Sequence, residues 1–397
     1  MEPLFSEFVA RDEEEASRFV AAPFLDDMVV HDVHTGRLFQ VNHTAAEIWT
    51  RLWAGEPEDV IVGDLAASHG LDASLVQKDL QPFIKALKRE DLVGSSGPLD
   101  GEWDCIAQAP SEDVAMLDAL YRVGKETVRI VCHSSDVAAA FAPLAAPARV
   151  ADHATAKTRL DLFPVGDGFV VTRDGDIVDK AGSAPAARWA LVQQLVLAAG
   201  EHPYLALLHA GAVITPAGGL LICGESGAGK STLLAGLVHA GFGFAADDVV
   251  PIQEQTMQAH PVRLAMSVKQ KSWDLLTPFF PRLLTEPPIE FGGRTMRYHW
   301  PGDDADRDRF AAFPVKAVLF PRFDAEAAVS LRRLDPARSL ALLGEGGSEL
   351  PSTNAGLAQF LAWWRDLPAY QLSYGRLDEG VREVLDLAEV TPTKEAD

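Results

Sequence analysis

The spacing of apolar residues in the N-terminal quarter of the chain predicts two short strands followed by three helices. Apolar and β-branched residues at 28–33 and 37–41 flank a turn that contains Gly36, a pattern typical of a hairpin. Apolar residues then recur at helical spacing in three successive segments. These predicted helices cover residues 45–52, with Asn42 or Thr44 as the cap, 60–68, and 75–92. The pattern therefore predicts a winged-helix-like α+β domain over residues 28–94.

Beyond residue 100, strand-like and helix-like segments alternate, which is typical of an α/β domain. The clearest of these segments lie at residues 127–131, 137–144, 160–163, 168–172, 177–178 and 186–199. We divide the chain into a lead-in (1–27), the first domain (28–94), a Gly/Ser/Pro-rich linker (95–100), the N-terminal part of the second region (101–200), its core (201–390) and a polar tail (391–397).

The composition and net charge of the chain argue against some classes of binding partner. The chain has 397 residues, of which 48% are apolar and 23% charged, and its formal net charge is −22. This charge argues against broad binding to nucleic acid or to an anionic membrane, because both need clustered Lys and Arg. The N-terminus is acidic and the sequence has no apolar run of membrane-spanning length, so we expect a cytoplasmic protein. The three cysteines match no zinc or disulfide pattern.

The sharpest motif is residues 224–231, which fit GxxxxGK[ST] without a mismatch. Glycines let backbone N–H groups surround phosphate oxygens, a lysine in the Lys230 position reaches the β- and γ-phosphates, and a hydroxyl in the Ser231 position ligates Mg²⁺. An apolar strand precedes the motif and an apolar-faced helix follows it. The predicted nucleotide-binding residues are Gly224, Glu225, Ser226, Gly227, Ala228, Gly229, Lys230, Ser231 and Thr232.

Two acids and a histidine stand close to this motif in the sequence. Asp247 and Asp248 follow a short apolar segment that begins a few residues after the predicted loop helix. Carboxylates in such a position reach the γ-phosphate from the neighbouring strand, and we expect Asp247 to join Ser231 at the metal. His209 precedes the strand that leads into the motif, where it would orient a catalytic acid. A structural histidine and an acidic turn are the alternative interpretations of these residues.

Residues 207–251 resemble the catalytic core of the HPr kinase/phosphorylase family, P-loop serine kinases related in fold to phosphoenolpyruvate carboxykinase. The resemblance is carried by His209-Ala210-Gly211-Ala212, the glycine-rich motif, Gly241, and Ala246-Asp247-Asp248. It implies an α/β P-loop kinase domain that uses ATP and Mg²⁺. His209 falls at the family's active-site histidine and Lys230 at its loop lysine. Asp248 falls at the residue that takes the proton from the substrate serine.

Four basic residues further along the chain are candidate phosphate or substrate contacts: Lys269, Arg294, Arg297 and Arg322. Arg322, at the end of a predicted strand, is the best of them for the nucleotide. Solvated surface charge is the alternative for each.

Residues 28–93 resemble a second family, the PqqD-like recognition domains. The match is carried by Gly36-Arg37-Leu38-Phe39-Gln40-Val41-Asn42-His43-Thr44-Ala45-Ala46-Glu47-Ile48-Trp49 at the hairpin-to-helix junction. The resemblance implies that the leader of a ribosomally made precursor peptide adds a strand to the edge of the 28–41 hairpin and packs against the 75–92 helix. A DNA-binding winged helix and a purely structural module are the alternatives. The nearly balanced charge of the last helix argues against DNA binding.

Together these features predict a kinase that phosphorylates a serine, or a threonine, of a tethered precursor peptide. The alternatives are a kinase acting on a folded carrier protein or a small molecule, and a nucleotide-binding scaffold without phosphotransfer. The sequence leaves open ATP against GTP and a homo-oligomeric assembly.

Overall fold

In the computed structural model, the described residues separate into two compact units, and each is taken by itself. The described residues are 18–90, 92–93, 114–151, 153–200, 203–215, 217–301 and 311–390. The predicted linker and tail lie outside these ranges, as does most of the predicted lead-in. Within the described part of the chain, the first unit comprises residues 18–32 and 38–93, and the second comprises residues 33–37 and 114–390.

The first unit is a three-stranded sheet followed by three helices. Its elements are β1 (Phe19–Phe24), β2 (Asp27–Asp32), β3 (Arg37–Val41), α1 (His43–Trp53), α2 (Glu58–His69) and α3 (Ala73–Arg89). The strand order is β1-β2-β3, and β1 pairs with β2 in antiparallel register, Phe19 opposite Asp32 and Phe24 opposite Asp27. The hairpin and the three helices predicted from the sequence are therefore present.

Strand β1 corrects the sequence prediction, which placed these residues in the lead-in. Its residues, FVAAPF, include Pro23 and two alanines, which lower its strand propensity, and it lies at a sheet edge, where proline is tolerated. Four of its side chains are nevertheless buried: Phe19, Val20, Ala22 and Phe24. In the sheet formed by the described residues, β1 pairs with one side of the β2–β3 hairpin and β3 is the edge strand on the other side.

Short polar side chains fix the helix starts in this unit. The Asn42 side chain accepts a hydrogen bond from the Ala45 N–H at 2.8 Å, and Asp72 accepts from Ser74 at the same distance. Helix α2 ends at Gly70 in the left-handed region. Two buried clusters hold the helices, one around Ile48, Ile61 and Leu65, and one in which Trp49 and Leu87 pack with Phe19.

The second unit begins with a mixed five-stranded sheet in the order β4-β5-β6-β7-β8. Its elements are β4 (Leu117–Tyr121), β5 (Val128–Cys132), α4 (Ser135–Ala145), β6 (Thr158–Val165), β7 (Gly168–Arg173), β8 (Asp176–Ala181) and α5 (Ala184–Ala199). Asp174 and Gly175, with φ of 53° and 100°, form a tight turn between β7 and β8.

A six-stranded sheet forms the centre of this unit, in the order β12-β10-β11-β17-β19-β18. Its elements, with the helices between them, are β10 (Gly211–Thr215), β11 (Gly218–Ile222), α6 (Lys230–His239), β12 (Gly243–Ala246), β17 (Val315–Phe323), β18 (Ser330–Leu334), α8 (Pro336–Gly344), α9 (Asn354–Asp366), β19 (Ala369–Tyr374) and α10 (Leu377–Val390). Strand β11 is parallel to β17 and antiparallel to β10, which is itself antiparallel to β12. Helix α6 buries Leu233, Leu234 and Leu237.

Two small antiparallel sheets complete the unit. Strand β9 (Tyr204–Leu208) pairs with β13 (Val250–Gln253), and β14 (Met266–Lys269), β16 (Arg294–His299) and β15 (Ile289–Phe291) form a sheet in that order. The short helix α7 (Trp273–Leu276) follows β14. None of the helices in the described residues is long and apolar enough to cross a membrane.

Candidate functional site

Residues 224–231 form a loop between strand β11 and helix α6, as the sequence predicts. Gly224, Gly227 and Gly229 have φ of 129°, 99° and 100°, a region that side-chain-bearing residues rarely adopt. Gly229 caps helix α6, and no side chain in the described part of the chain caps that helix end. The first backbone N–H groups of α6 are therefore available to an anion, which the helix dipole also favours.

Lys230 lies buried at the inner face of this loop. Its Nζ donates to the Gly224 carbonyl at 2.6 Å and to the Glu225 carbonyl at 3.2 Å. Burial lowers the pKa of Lys230, while the charges of Asp248 and Asp247 oppose this shift. The ammonium group is thus held against the backbone of the glycine-rich loop.

Asp247 lies directly beside the start of helix α6. The Ser231 hydroxyl donates to its carboxylate, at 3.1 and 3.2 Å from the two oxygens, and the Ser267 backbone N–H donates at 3.1 Å. Burial, together with the negative charge of Asp248, raises the pKa of Asp247. The Asp247 carboxyl and the Ser231 hydroxyl together offer hard oxygen donors to a cation.

Asp248 faces the cleft above the loop and has a strained backbone. Its φ of 70° lies in the left-handed region, which costs energy for a residue with a side chain. A backbone hydrogen bond and the carboxylate charge link Asp248 to His209. Burial lowers the pKa of His209, which keeps its imidazole neutral near pH 7, and Trp189 packs edge-on against the ring at 5.7 Å.

The topology of the central sheet explains why these residues meet. The phosphate loop (residues 224–231) follows the carboxyl end of β11. Asp247 and Asp248 follow the carboxyl end of β12, which runs in the same direction as β11. His209 precedes Gly211, whose register partner is Ile222 at the end of β11. All three chain segments therefore reach one edge of the sheet. The sequence predicts these acids on the strand next to β11, but in the sheet β10 lies between β11 and β12.

A cleft that is partly open to solvent joins the loop, Asp248 and His209. The charged side chains that line it are mostly cationic: Arg188, Lys230, Lys269, Lys271 and Arg294. Asp248 is the one carboxylate among the lining residues in the described part of the chain. A chain with a net charge of −22 thus concentrates positive charge here, as a polyanionic ligand requires.

Most of the predicted site residues line this single cleft. They are His209, Ser226, Gly227, Gly229, Lys230, Ser231, Thr232 and Asp248. Gly224, Glu225 and Ala228 complete the loop, and the Thr232 and Ser272 hydroxyls are 3.1 Å apart. Among the predicted basic contacts, Lys269 and Arg294 line the cleft.

Two predicted contacts lie elsewhere. Arg322 is exposed at the end of β17 and is not among the residues that line the cleft, although its neighbour Phe323 lies beside Gly229. The Arg297 guanidinium stacks on Trp273, 4.0 Å from the ring centre. Both side chains are placed by sheet register, which the sequence does not reveal.

Sequence reasoning missed several residues that build the cleft. Arg188 and Trp189 come from helix α5, Lys271 and Ser272 follow β14, and the Ser348 hydroxyl accepts the His209 N–H at 3.0 Å. They belong to no motif, and only long-range folding brings them to the loop.

Ser231 and Asp247 fit a magnesium ion by the chemistry of their donors. Mg²⁺ prefers oxygen ligands and usually keeps several waters or phosphate oxygens besides one or two protein groups. Among the described residues, no group of three or more His, Cys, Asp or Glu side chains forms a metal cluster. The pair is therefore suited to an ion shared with a bound phosphate rather than to a cage made by the protein alone.

A second candidate site lies in the first unit, between β3 and α3. Strand β3 is the edge of the sheet, and Phe39 and Val41 on it are only half-buried. Phe83 on α3 is also half-buried and packs against the same cluster. An edge strand beside partly exposed apolar side chains can accept an extended peptide.

Comparisons with known proteins support the N-terminal assignment. Residues 27–93 match the family model for coenzyme PQQ synthesis protein D, PqqD. The chain therefore carries an N-terminal PqqD-like domain, as the sequence analysis expected. No curated protein matches the chain significantly.

Among solved structures, the chain is similar to the HPr(Ser) kinase/phosphatase from Coxiella burnetii. The two are 15% identical, and the similarity covers 46% of this chain and 97% of the other at a TM-score of 0.22. A similarity this weak carries no argument about activity.

Proposed function

We propose that this protein is an ATP- and Mg²⁺-dependent kinase that phosphorylates a serine, or a threonine, of a ribosomally synthesised precursor peptide. The observation that carries the proposal is the position of Asp248 at the glycine-rich loop, in a cleft whose other charged side chains are lysines and arginines. A nucleotide triphosphate and a nearby carboxylate are the two components that phosphoryl transfer to an alcohol needs.

The phosphate loop supports nucleotide binding. Its three glycines with positive φ, the uncapped start of α6 and the buried ammonium of Lys230 form a cradle for the phosphates. Ser231 and Asp247 would hold Mg²⁺ against the phosphate oxygens, and the ion would neutralise part of their charge. The resemblance of residues 207–251 to P-loop serine kinases favours ATP as the donor.

Asp248 supports transfer to a hydroxyl. The acceptor oxygen would form a bond to the γ-phosphorus, while the bond from that phosphorus to the bridging oxygen breaks and its electron pair leaves with ADP. The hydroxyl proton would pass to the Asp248 carboxylate. His209, which contacts the Asp248 backbone, would hold this acid in place. The strained φ of Asp248 is consistent with a residue retained for its chemistry.

The PqqD-like domain supports a peptide acceptor. The edge strand β3 would pair with the backbone of the leader, and the half-buried apolar side chains of β3 and α3 would contact leader side chains. A chain that holds the leader and the kinase site together raises the local concentration of the acceptor.

The test is a phosphorylation assay with the full chain, ATP and Mg²⁺, and the short peptide encoded in a neighbouring reading frame. Mass spectrometry should detect a phosphoserine or phosphothreonine, and removing the leader should lower the rate by at least about tenfold. Asp248→Asn should abolish transfer and leave ATP affinity within about twofold. Transfer at an undiminished rate by this variant would refute the role of Asp248, and ATP binding without any phosphopeptide would favour a scaffold.

A further inference from the structure

The cleft holds more positive charge than the glycine-rich motif supplies. Lys269 comes from the end of β14, a strand that is not part of the motif or of the central sheet. Its Nζ donates to the Ser226 hydroxyl at 3.1 Å, so the side chain reaches the phosphate loop from the opposite wall.

A hydrogen bond joins strand β14 to Asp247, the proposed metal ligand, and this contact fixes the position of Lys269. The Ser267 backbone N–H donates to Asp247 at 3.1 Å, and β14 pairs with β16, Lys269 opposite Met296. Residues two apart in a strand share a face, and both Ser267 and Lys269 line the cleft. Lys269 is therefore positioned by the same hydrogen bond that orients Asp247.

The contacts of the two lysines identify the end of the nucleotide that Lys269 would meet. The Lys230 ammonium lies at the carbonyls of Gly224 and Glu225, and the Lys269 ammonium lies at the next residue, Ser226. The other end of the loop is the start of α6. A phosphate tail that runs from the helix start along the loop would place its terminal phosphate between the two ammonium groups.

The surroundings of Lys269 favour an anionic ligand rather than a structural role. In the part of the chain that the structure describes, Lys269 has no carboxylate within ion-pair distance, and its hydrogen bond is to a hydroxyl. Burial and the nearby charges of Arg294, Lys230 and Lys271 lower its pKa, with Asp248 opposing them. Cations brought together in this way repel one another until an anion binds.

We propose that Lys269 is a catalytic residue, which contacts the transferring γ-phosphoryl group of the nucleotide and neutralises the charge that develops on it. This inference rests on the proposed function, because it assumes that the loop binds a nucleoside triphosphate. It adds to that function a charge-neutralising group supplied by strand β14, outside the glycine-rich motif.

The inference is tested by comparing two nucleotides that differ in the terminal phosphate. Isothermal titration calorimetry of the full chain would measure the affinities for ADP and for a non-hydrolysable ATP analogue, both with Mg²⁺. Lys269→Met and Lys269→Gln should lower the affinity for the ATP analogue by about 10- to 100-fold and change the ADP affinity by less than about twofold. Lys269→Arg, which keeps the charge, should retain most of the affinity for the analogue.

Lys180→Met is the matched control, since Lys180 is exposed on β8 and does not line the cleft. It should leave both affinities unchanged. Equal losses for ADP and the analogue in both Lys269 variants, or no loss at all, would overturn the inference while leaving the proposed function intact. A wild-type chain that binds neither nucleotide would overturn both.

Discussion

The hydroxyl of Ser231 and the carboxylate of Asp247 are joined by hydrogen bonds of 3.1 and 3.2 Å, although sixteen positions separate the residues in the chain. The first opens helix α6 and the second follows β12, so the contact ties the phosphate loop to the acidic turn. Because both side chains offer oxygen atoms to a cation, a metal ion would bind at this contact.

Cation binding at this pair should strengthen as the pH rises. The pKa of Asp247 is raised by burial and by the charge of Asp248, so its carboxyl retains a proton above the usual carboxyl range. A cation must displace that proton, and we expect affinity for Mn²⁺ in the presence of ADP to rise by up to about tenfold for each pH unit below the raised pKa. Calorimetry in buffers of different ionisation enthalpy would measure the released proton. An affinity that is flat with pH would contradict the raised pKa.

Asp247→Asn should raise the stability of the fold at high pH while it weakens metal binding. A carboxyl whose pKa is raised by folding costs stability as the pH rises from its ordinary pKa to its raised pKa in the folded state, because the unfolded chain ionises freely there while the folded chain must keep the proton or bury a charge. The amide removes the charge and still accepts the Ser267 N–H. We expect the variant to gain about 1–2 kcal/mol at high pH and to lose this gain at low pH. Urea unfolding at both pH values would test this.

The same variant should weaken Mg²⁺-dependent nucleotide binding by about tenfold or more, because a neutral amide is a poorer ligand than a carboxylate. The comparison with Asp248→Asn is informative, since that variant is expected to keep nucleotide affinity. If Asp247→Asn bound Mg²⁺ and nucleotide as the wild type does, Asp247 would not be the metal ligand.

The local elements of the fold were predictable because their signals are local. Helical spacing and capping by Asn42 and Asp72 define the helices of the first unit, and the glycine-rich motif defines its own loop. Strand β1 was not predicted, because Pro23 and the two alanines weaken its strand pattern. Its burial depends on packing against residues that are distant in the sequence, such as Trp49 and Leu87.

The site was predictable only in part, for a related physical reason. The loop, Asp247, Asp248 and His209 have chemistry that is visible in their residue types. The contact of Lys269 with Ser226 spans 43 positions, and that of His209 with Ser348 spans 139. Such contacts follow from strand order, and the insertion of β10 between β11 and β12 shows that neighbouring segments in sequence need not be neighbours in the sheet.

Gly229→Ala should impair nucleotide binding through sterics. A methyl group at this position would lie 3.1 Å from the Tyr374 hydroxyl and 3.6 Å from the Phe323 Cβ, and the φ of 100° is unfavourable for alanine. We expect a loss of about 1–2 kcal/mol in stability and at least about a tenfold loss in ATP affinity. Thermal unfolding and nucleotide titration would measure the two effects.

Gly241→Ala is the matched control for this substitution. Gly241 has nearly the same φ, 104°, but nothing lies within 4 Å of the added methyl group. It should lose a similar amount of stability from backbone strain and keep its ATP affinity. Equal effects of the two variants on ATP binding would mean that strain, and not the shape of the loop, is responsible.

Trp49→Phe should loosen the end of helix α3. The indole Nε1–H donates to the Leu92 carbonyl at 2.9 Å, inside a buried cluster where Phe19 and Phe39 pack edge-on against the ring. Phenylalanine keeps the apolar contact and leaves that carbonyl without its donor, at a cost of about 1–3 kcal/mol. Hydrogen exchange in the full chain should therefore accelerate in α3 and in β3, and binding of a leader peptide at this edge should weaken.

Trp53→Phe is the control that distinguishes the effect of the Trp49–Leu92 hydrogen bond from that of aromatic packing. Trp53 also packs edge-on against Phe19, at 4.8 Å, but it is only partly buried. The smaller ring should cost less than about 1 kcal/mol, and exchange in α3 should stay close to that of the wild type. Equal acceleration by both substitutions would show that the aromatic cluster, and not the Trp49–Leu92 hydrogen bond, holds α3 against the sheet.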